Sequence, residues 1–205
     1  MPSFVYLASQ SPRRSQLLDQ IGVRHVLLVA NAPGDVEEDA ESIEAERAGE
    51  PPEAYVVRVT AAKLDAAVAR RVRRDLAPAP VLCADTTVAL PGRILGKPGS
   101  PEEARAMLAA LSGTEHQVWT AVAVEGEDGT RHAALSRSDV RFAPWTADDI
   151  DRYVDSGEPF GKAGGYGIQG RAAGWVERIA GSYSGIMGLP LFEAARLLRR
   201  AGLAV

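Results

Sequence analysis

The sequence predicts an α/β protein, and three observations carry that expectation. Apolar runs of strand length alternate with segments of helical apolar period along most of the chain. Serine, proline, glycine and basic residues gather at the junctions between these segments. With 205 residues, 46% of them hydrophobic, the chain can bury a sizeable core, in one domain or in two small lobes that share it.

The elements follow in order. Residues 4–8 read as a buried strand, followed by Ser9-Gln10-Ser11-Pro12-Arg13-Arg14 and the periodic set Leu17, Leu18 and Ile21. Ser11 as N-cap, Pro12 at the first helical position and Gly22 as the stop predict a short helix. Residues 25–30 read as a second strand. Beyond an acidic stretch, residues 53–74 predict a long amphipathic helix with Tyr55, Val56, Val59, Ala62 and Ala66 on one side, and Lys63 lies on it. Pro78 and Pro80 break the chain before 81–90, a central-strand pattern interrupted by Asp85-Thr86-Thr87. A Pro-Gly turn and Lys97-Pro98 lead to a helix over 101–111 that stops at Ser112-Gly113. Residues 118–124 and 133–142 predict two antiparallel strands joined through Glu127-Asp128-Gly129. Thr146 caps a helix that runs to Ser156-Gly157. A glycine-rich stretch (161–174), a strand around 175–179, a second polar loop and a helix over 190–200 complete the chain. There is no internal repeat, linker or low-complexity tail.

Composition removes several classes. No apolar run approaches the roughly 18 residues of a membrane span, and the longest covers 106–111. The start, Met1-Pro2-Ser3, lacks a basic segment followed by an apolar one, so a cytoplasmic protein without a secretory leader is expected. Cys83 stands alone, which excludes an internal disulfide and any CxxC site, and its apolar neighbours predict a small buried hydrophobe. His25, His116 and His132 show no zinc-binding spacing, so any metal would be an oxygen-ligated magnesium or manganese.

The net charge of −4 is unevenly distributed. Residues 35–53 hold nine acidic residues and one basic, leaving 18 acidic and 22 basic elsewhere, so most of the chain can attract an anion. The acidic stretch reads either as a solvated loop and helix start, or as the source of a carboxylate that holds a cation near a site. Of the 23 basic residues only Lys63, Lys97 and Lys162 are lysines. In an arginine-rich chain, lysines that each fall among other candidate ligands point to compact ammonium donors for phosphate oxygens.

Three familiar signatures fail. Gly92 to Pro98 is one residue short of a P-loop and has proline where a metal-binding hydroxyl belongs. Gly165-Tyr-Gly167-Ile-Gln-Gly170 satisfies GxGxxG but neither follows a strand nor opens a helix. Gly181-Ser-Tyr-Ser-Gly185 places tyrosine where a nucleophile elbow needs serine. What remains is a set of anion binders at element boundaries. Ser9, Ser11, Arg13 and Arg14 lie where free amides and the helix dipole favour a phosphate, although a capped helix with two solvated arginines reads equally well. Asp85 is a carboxylate inside an apolar strand, so it needs a partner or a chemical task. It is either a loop-capping aspartate or a general base acting on water beside Thr86.

Taken together, Leu7-Ala-Ser-Gln-Ser-Pro-Arg-Arg14, Tyr55-Val-Val-Arg58 leading to Lys63, Ala84-Asp-Thr86, Gly96-Lys-Pro98, Leu111-Ser-Gly113 with His116 and Thr120, Lys162-Ala-Gly-Gly-Tyr-Gly-Ile-Gln-Gly170 and Gly188-Leu-Pro190 resemble the Maf proteins over nearly the whole chain. These are nucleoside triphosphate pyrophosphatases first named for a link to septum formation. The resemblance implies one Maf-like domain: an elongated mixed central sheet flanked by helices, with two lobes and a cleft between them, as in inosine triphosphate pyrophosphatases. It implies hydrolysis of a nucleoside triphosphate to the monophosphate and pyrophosphate with a divalent cation (magnesium, manganese or cobalt). Asp85 then stands for the proton acceptor, and Ser9, Arg13, Arg14, Lys63, Lys97 and Gln169 for substrate binders. Ser11, Thr86 and Lys162 join them from the same motifs. Glu38, or its neighbour Glu37, would help Asp85 hold the cation, although the segment 35–50 is longer and more acidic than the family's. Ala84-Asp-Thr86 with Gln169 is similar to the branch acting on dTTP and UTP, since glutamine offers a donor and an acceptor to the O4/N3–H edge of a pyrimidine. The alternatives are a pyrophosphatase for modified nucleotides and a nucleotide-binding regulator of septum formation. A homodimer is the assembly implied, with no nucleic-acid or membrane partner.

Overall fold

The computed structural model describes residues 2–31 and 38–205. In chain order the elements are β1 (Val5–Leu7), α1 (Pro12–Gln20), β2 (His25–Leu27), α2 (Ala40–Glu44), α3 (Pro52–Arg73), β3 (Val81–Leu90), β4 (Arg93–Leu95), α4 (Pro101–Leu111), β5 (Glu115–Glu125), β6 (Arg131–Phe142), α5 (Ala147–Asp155), β7 (Val176–Ala180), α6 (Tyr183–Met187) and α7 (Leu191–Arg200). Among the described residues the strands form one sheet in the order β2-β1-β3-β5-β6-β7, with β4 also paired to β3. The sheet is mixed: β1 runs parallel to β2 and β3, and the remaining pairs are antiparallel. The expected α/β architecture with helix-flanked mixed sheet is the one observed. No helix among the described residues is long and apolar enough to cross a membrane.

The polar triplet does not interrupt β3. One edge of the strand pairs with β5 in unbroken register from Val81↔Glu125 to Ala89↔Gln117. The other edge is divided. Val81 and Leu82 pair with β1, and β4 takes over only at Val88. Residues 83–87 therefore have no ladder partner on that edge, and Asp85 sits in the middle of the opening. Strand alternation then sends neighbours to opposite faces. Cys83 packs with Leu64 and Ala67 of α3, whereas Ala84 joins Leu17, Leu18, Leu197 and Leu198 of α1 and α7. Further along, Val88 belongs to a separate core built from α4, α5, Phe142 and Tyr166.

Three short elements carried no readable pattern. The five residues of α2 and of α6 are too few to show a helical period, and β4 has only three residues. Conversely, β1 and β2 are shorter than their apolar runs, and only three residues of each pair with one another. Ser11 occupies the N-cap of α1 but makes no side-chain capping bond, and its own amide is bound by the Ser9 hydroxyl at 3.1 Å. Thr146 forms a full capping box with Asp149, as its position predicts.

His116 is 1% exposed, with its Nε2 2.7 Å from the Tyr166 hydroxyl and its ring against Phe142 and Tyr166. Burial pushes its pKa down from 6.5 to about 4. The unfolded chain therefore takes up a proton that the folded one refuses, and stability should fall as the pH drops below 6.5. The expected loss is on the order of 2–3 kcal/mol by pH 4.5. Denaturant unfolding in half-unit pH steps checks this, and a flat profile between pH 6.5 and 5 would refute it. His116→Gln should flatten that window.

Candidate active site

A cavity of about 580 Å³ lies over the opening in β3. Every site residue named from the sequence lines it: Ser9, Ser11, Arg13, Arg14, Glu38, Lys63, Asp85, Thr86, Lys97, Lys162 and Gln169. Glu37 lies outside the described residues. The tertiary structure brings these side chains together from α1 and the loop before it, the segment before α2, α3, β3, the loop after β4 and the glycine-rich segment.

Asp85 is 9% exposed and, among the described residues, accepts one hydrogen bond, from Lys63 Nζ to Oδ1 at 2.6 Å. Lys63 comes from α3, the helix packed on the face of β3 to which Asp85 points. Its ammonium also reaches Glu44 Oε1 at 2.6 Å, and Lys97 Nζ lies 3.0 Å from Glu44 Oε2. The result is a chain of alternating charge: Asp85, Lys63, Glu44, Lys97. Burial pulls the Lys63 pKa down, but attraction to Asp85 and Glu44 outweighs it and the net shift is upward. For Glu44 burial acts upward, and the two lysines reverse it to a net lowering. Both groups are thus held in their charged forms.

On the other face, Arg14 Nε donates to the Gly188 carbonyl at 2.8 Å and Nη1 to the Ser9 hydroxyl at 3.2 Å. Burial lowers the Arg14 pKa, partly opposed by Asp85. A poorly hydrated guanidinium of this kind gains most from an anionic ligand. The Thr120 hydroxyl donates to the Gly185 carbonyl at 2.8 Å and lies 3.0 Å from the Thr86 hydroxyl, tying α6 to β3 and β5. Lys162 donates to the Glu158 carbonyl, and its pKa is lowered first by burial and then by the nearby Arg13. Two cations crowded without a shared carboxylate again make a place for an anion.

Gln169 is carried by a pinned loop. The Gly167 amide donates to the Tyr153 hydroxyl at 3.3 Å and the Arg171 amide to Glu158 Oε1 at 3.1 Å, while Tyr153 donates to the same carboxylate oxygen at 3.0 Å. A Cβ at Gly170 would lie 1.9 Å from Glu158 Oε1, so a side chain there would push that carboxylate off its bonds to Tyr153 and Arg171.

Glu38 lines the cavity, but its carboxylate is engaged by Arg70 at both oxygens and by Arg73 at 3.1 Å. These arginines hold the Glu38 pKa down, chiefly through the Arg70 hydrogen bonds. Among the described residues no group of three His, Cys, Asp or Glu side chains could hold a metal ion. Asp85 lines the cavity, and its Oδ2 has no protein partner among the described residues. One carboxylate completed by substrate phosphates and water is a donor set that suits magnesium-like cations.

Three residues of the site were not singled out from the sequence. Glu44 could not be told from the other carboxylates of its stretch. Glu158 carries no signal of its own between Gly157 and the glycine-rich stretch. Arg70 did carry a signal, because it follows Lys63 by seven positions and so shares its helix face.

A mixed sheet opened beside a strand carboxylate, with Arg13, Arg14, Lys63, Lys97 and Lys162 around it, defines an α/β protein with a cation-lined cleft. Residues 4–201 match the family described as Maf-like protein, and the chain belongs to the Maf family. It is 63% identical over 203 residues to a protein of Cupriavidus metallidurans named dTTP/UTP pyrophosphatase, covering 99% of each chain. Proteins of the same name from Burkholderia thailandensis and Ralstonia nicotianae are 62% and 59% identical, over 98% of this chain and 94% and 95% of theirs. Among solved structures, a dITP/XTP pyrophosphatase of Mycobacterium abscessus overlaps 68% of this chain and 74% of its own, at 16% identity and a TM-score of 0.42. That likeness is too loose to carry an argument.

Proposed function

We propose that the protein hydrolyses dTTP and UTP to the nucleoside monophosphate and pyrophosphate, with Asp85 as general base. The observation that carries this reading is a nearly buried carboxylate at the opening of β3, bonded to Lys63 and facing a cavity lined by five further cations. Full-length relatives named for that activity support it.

In this mechanism Asp85 takes a proton from water as the water oxygen attacks the α-phosphorus. The bond from that phosphorus to the bridging oxygen breaks, and pyrophosphate leaves with the electron pair. Lys63 fixes the carboxylate's orientation and, with Lys97, Arg13 and Arg14, stabilises the charge that builds on the leaving group. Ser9 and the first turn of α1 hold a phosphate by hydrogen bonds. Gln169 presents a donor and an acceptor to the pyrimidine edge. A divalent cation, which Asp85 would hold, supplies charge neutralisation along the triphosphate.

Nucleoside triphosphates assayed with magnesium, manganese or cobalt test the proposal. Pyrophosphate and monophosphate should appear together, with dTTP and UTP turned over faster than purine nucleotides. Equal rates on purines would defeat the pyrimidine preference, orthophosphate alone would mark a phosphatase, and no cleavage of any triphosphate would defeat the enzyme reading.

A further inference from the structure

We infer that Glu44 is a specificity residue: its carboxylate occupies the place of a phosphoryl group on Lys63 and Lys97, so that only a polyphosphate gains both lysines. This rests on the reading that those lysines take substrate phosphates.

The backbone around Glu44 is tied to α3 from both sides. Arg58 donates to the carbonyls of Ile43 at 3.3 Å and Ala45 at 2.9 Å, and the Tyr55 hydroxyl donates to that of Glu44 at 3.0 Å. Arg58 is itself fixed by two bonds to Glu50, at 2.7 and 2.6 Å. The acidic segment is therefore clamped so that one of its side chains reaches across the cavity. Glu44 Oε1 takes Lys63 at 2.6 Å, and its two oxygens take Lys97 at 3.3 and 3.0 Å. Among the described residues no other group bridges the two ammoniums. Two anionic oxygens spanning two lysines is an arrangement that a phosphoryl group reproduces.

The consequence is a competition. A ligand that uses both lysines must first displace a carboxylate from them. Pyrophosphate and a triphosphate chain carry enough anionic oxygens to do so. A nucleoside monophosphate at Asp85 has a single phosphoryl group and leaves the Glu44 contacts in place. As pyrophosphate departs, Glu44 returns to the lysines and opposes rebinding of the product.

The experiment is calorimetric titration, without metal, of the wild type and Glu44→Gln with pyrophosphate, dTMP and the non-hydrolysable α,β-imido analogue of dTTP. Pyrophosphate and the analogue should bind the variant about tenfold more tightly, with dTMP unchanged within about twofold. Glu44→Ala should behave alike, and matching thermal unfolding excludes a folding defect. Unchanged affinities, or equal tightening for all three ligands, overturn the proposal. So does weaker binding accompanied by a higher manganese requirement, which would make Glu44 a cation ligand. Unchanged affinities in a variant that still releases pyrophosphate defeat the Glu44 inference alone. A wild type that cleaves no triphosphate and binds no pyrophosphate defeats the functional reading beneath it.

Discussion

Asp85→Asn should reduce pyrophosphate release from dTTP by about a thousandfold or more while leaving nucleotide binding intact or tighter. Removing a general base commonly costs 10²–10⁴ in rate, and asparagine in the same space cannot take the proton from water. Binding should not suffer, because the substitution removes one of the two carboxylates that hold Lys63, at 2.6 Å each. The freed ammonium can turn to the triphosphate. Single-turnover release of pyrophosphate, set beside titration with a non-hydrolysable analogue, separates the two effects. Activity within tenfold of the wild type would remove Asp85 from the mechanism. The same variant addresses the regulatory alternative, since an effect on cell division that survives it depends on binding and not on turnover.

Gly164→Ala should destabilise the protein by about 2–5 kcal/mol and raise KM for dTTP. Gly164 has φ +67, and a Cβ there would meet Val88 Cβ and Cγ1 at 2.9 Å. A left-handed conformation costs a residue with a Cβ roughly 1–2 kcal/mol, and overpacking adds about 1–3. Val88 lies on β3 three residues past Asp85, and the Gly164 amide is bound to the Gly96 carbonyl at 2.9 Å. This contact therefore registers the loop bearing Lys162 and Gln169 against the strand that carries the base and the turn that carries Lys97. Shortening the obstacle should help in part: Val88→Ala removes Cγ1 and Cγ2 but keeps Cβ, so combined with Gly164→Ala it should recover about 1 kcal/mol relative to additivity. Denaturant unfolding of the two single variants and the double measures that coupling. A Gly164→Ala protein within 0.5 kcal/mol of the wild type would show that close approach does not fix the loop.

Much of the fold was legible because its long elements have strong local patterns. The period of α3, the proline-to-Ser112 limits of α4 and the paired runs of β5 and β6 on either side of Glu127-Asp128-Gly129 are local properties, and they appear where the sequence places them. The breaks were local failures of the same kind. In α2, α6 and β4 there are too few residues for a period; α2 and α6 are held by contacts distant in sequence, such as Arg58 with Ile43 or Thr120 with Gly185, and β4 by its hairpin pairing with β3. The candidate site was legible as a set of residue types at element ends. Their partners were not, because a carboxylate's neighbour in space leaves no mark on its neighbours in sequence.

The sequence by itself determined which groups were available: an aspartate in an apolar strand, paired arginines at a helix start, and lysines kept among many arginines. It also determined the acidic segment as a concentration of charge, with its role open. Only the tertiary structure decided what that charge faces. It places Glu38 on Arg70 and Arg73, and Glu44 on Lys63 and Lys97. The physical reason is distance: electrostatic attraction acts through space over a few ångströms, and Glu44 and Lys97 become neighbours only when α2 and the loop after β4 close over the opening beside Asp85.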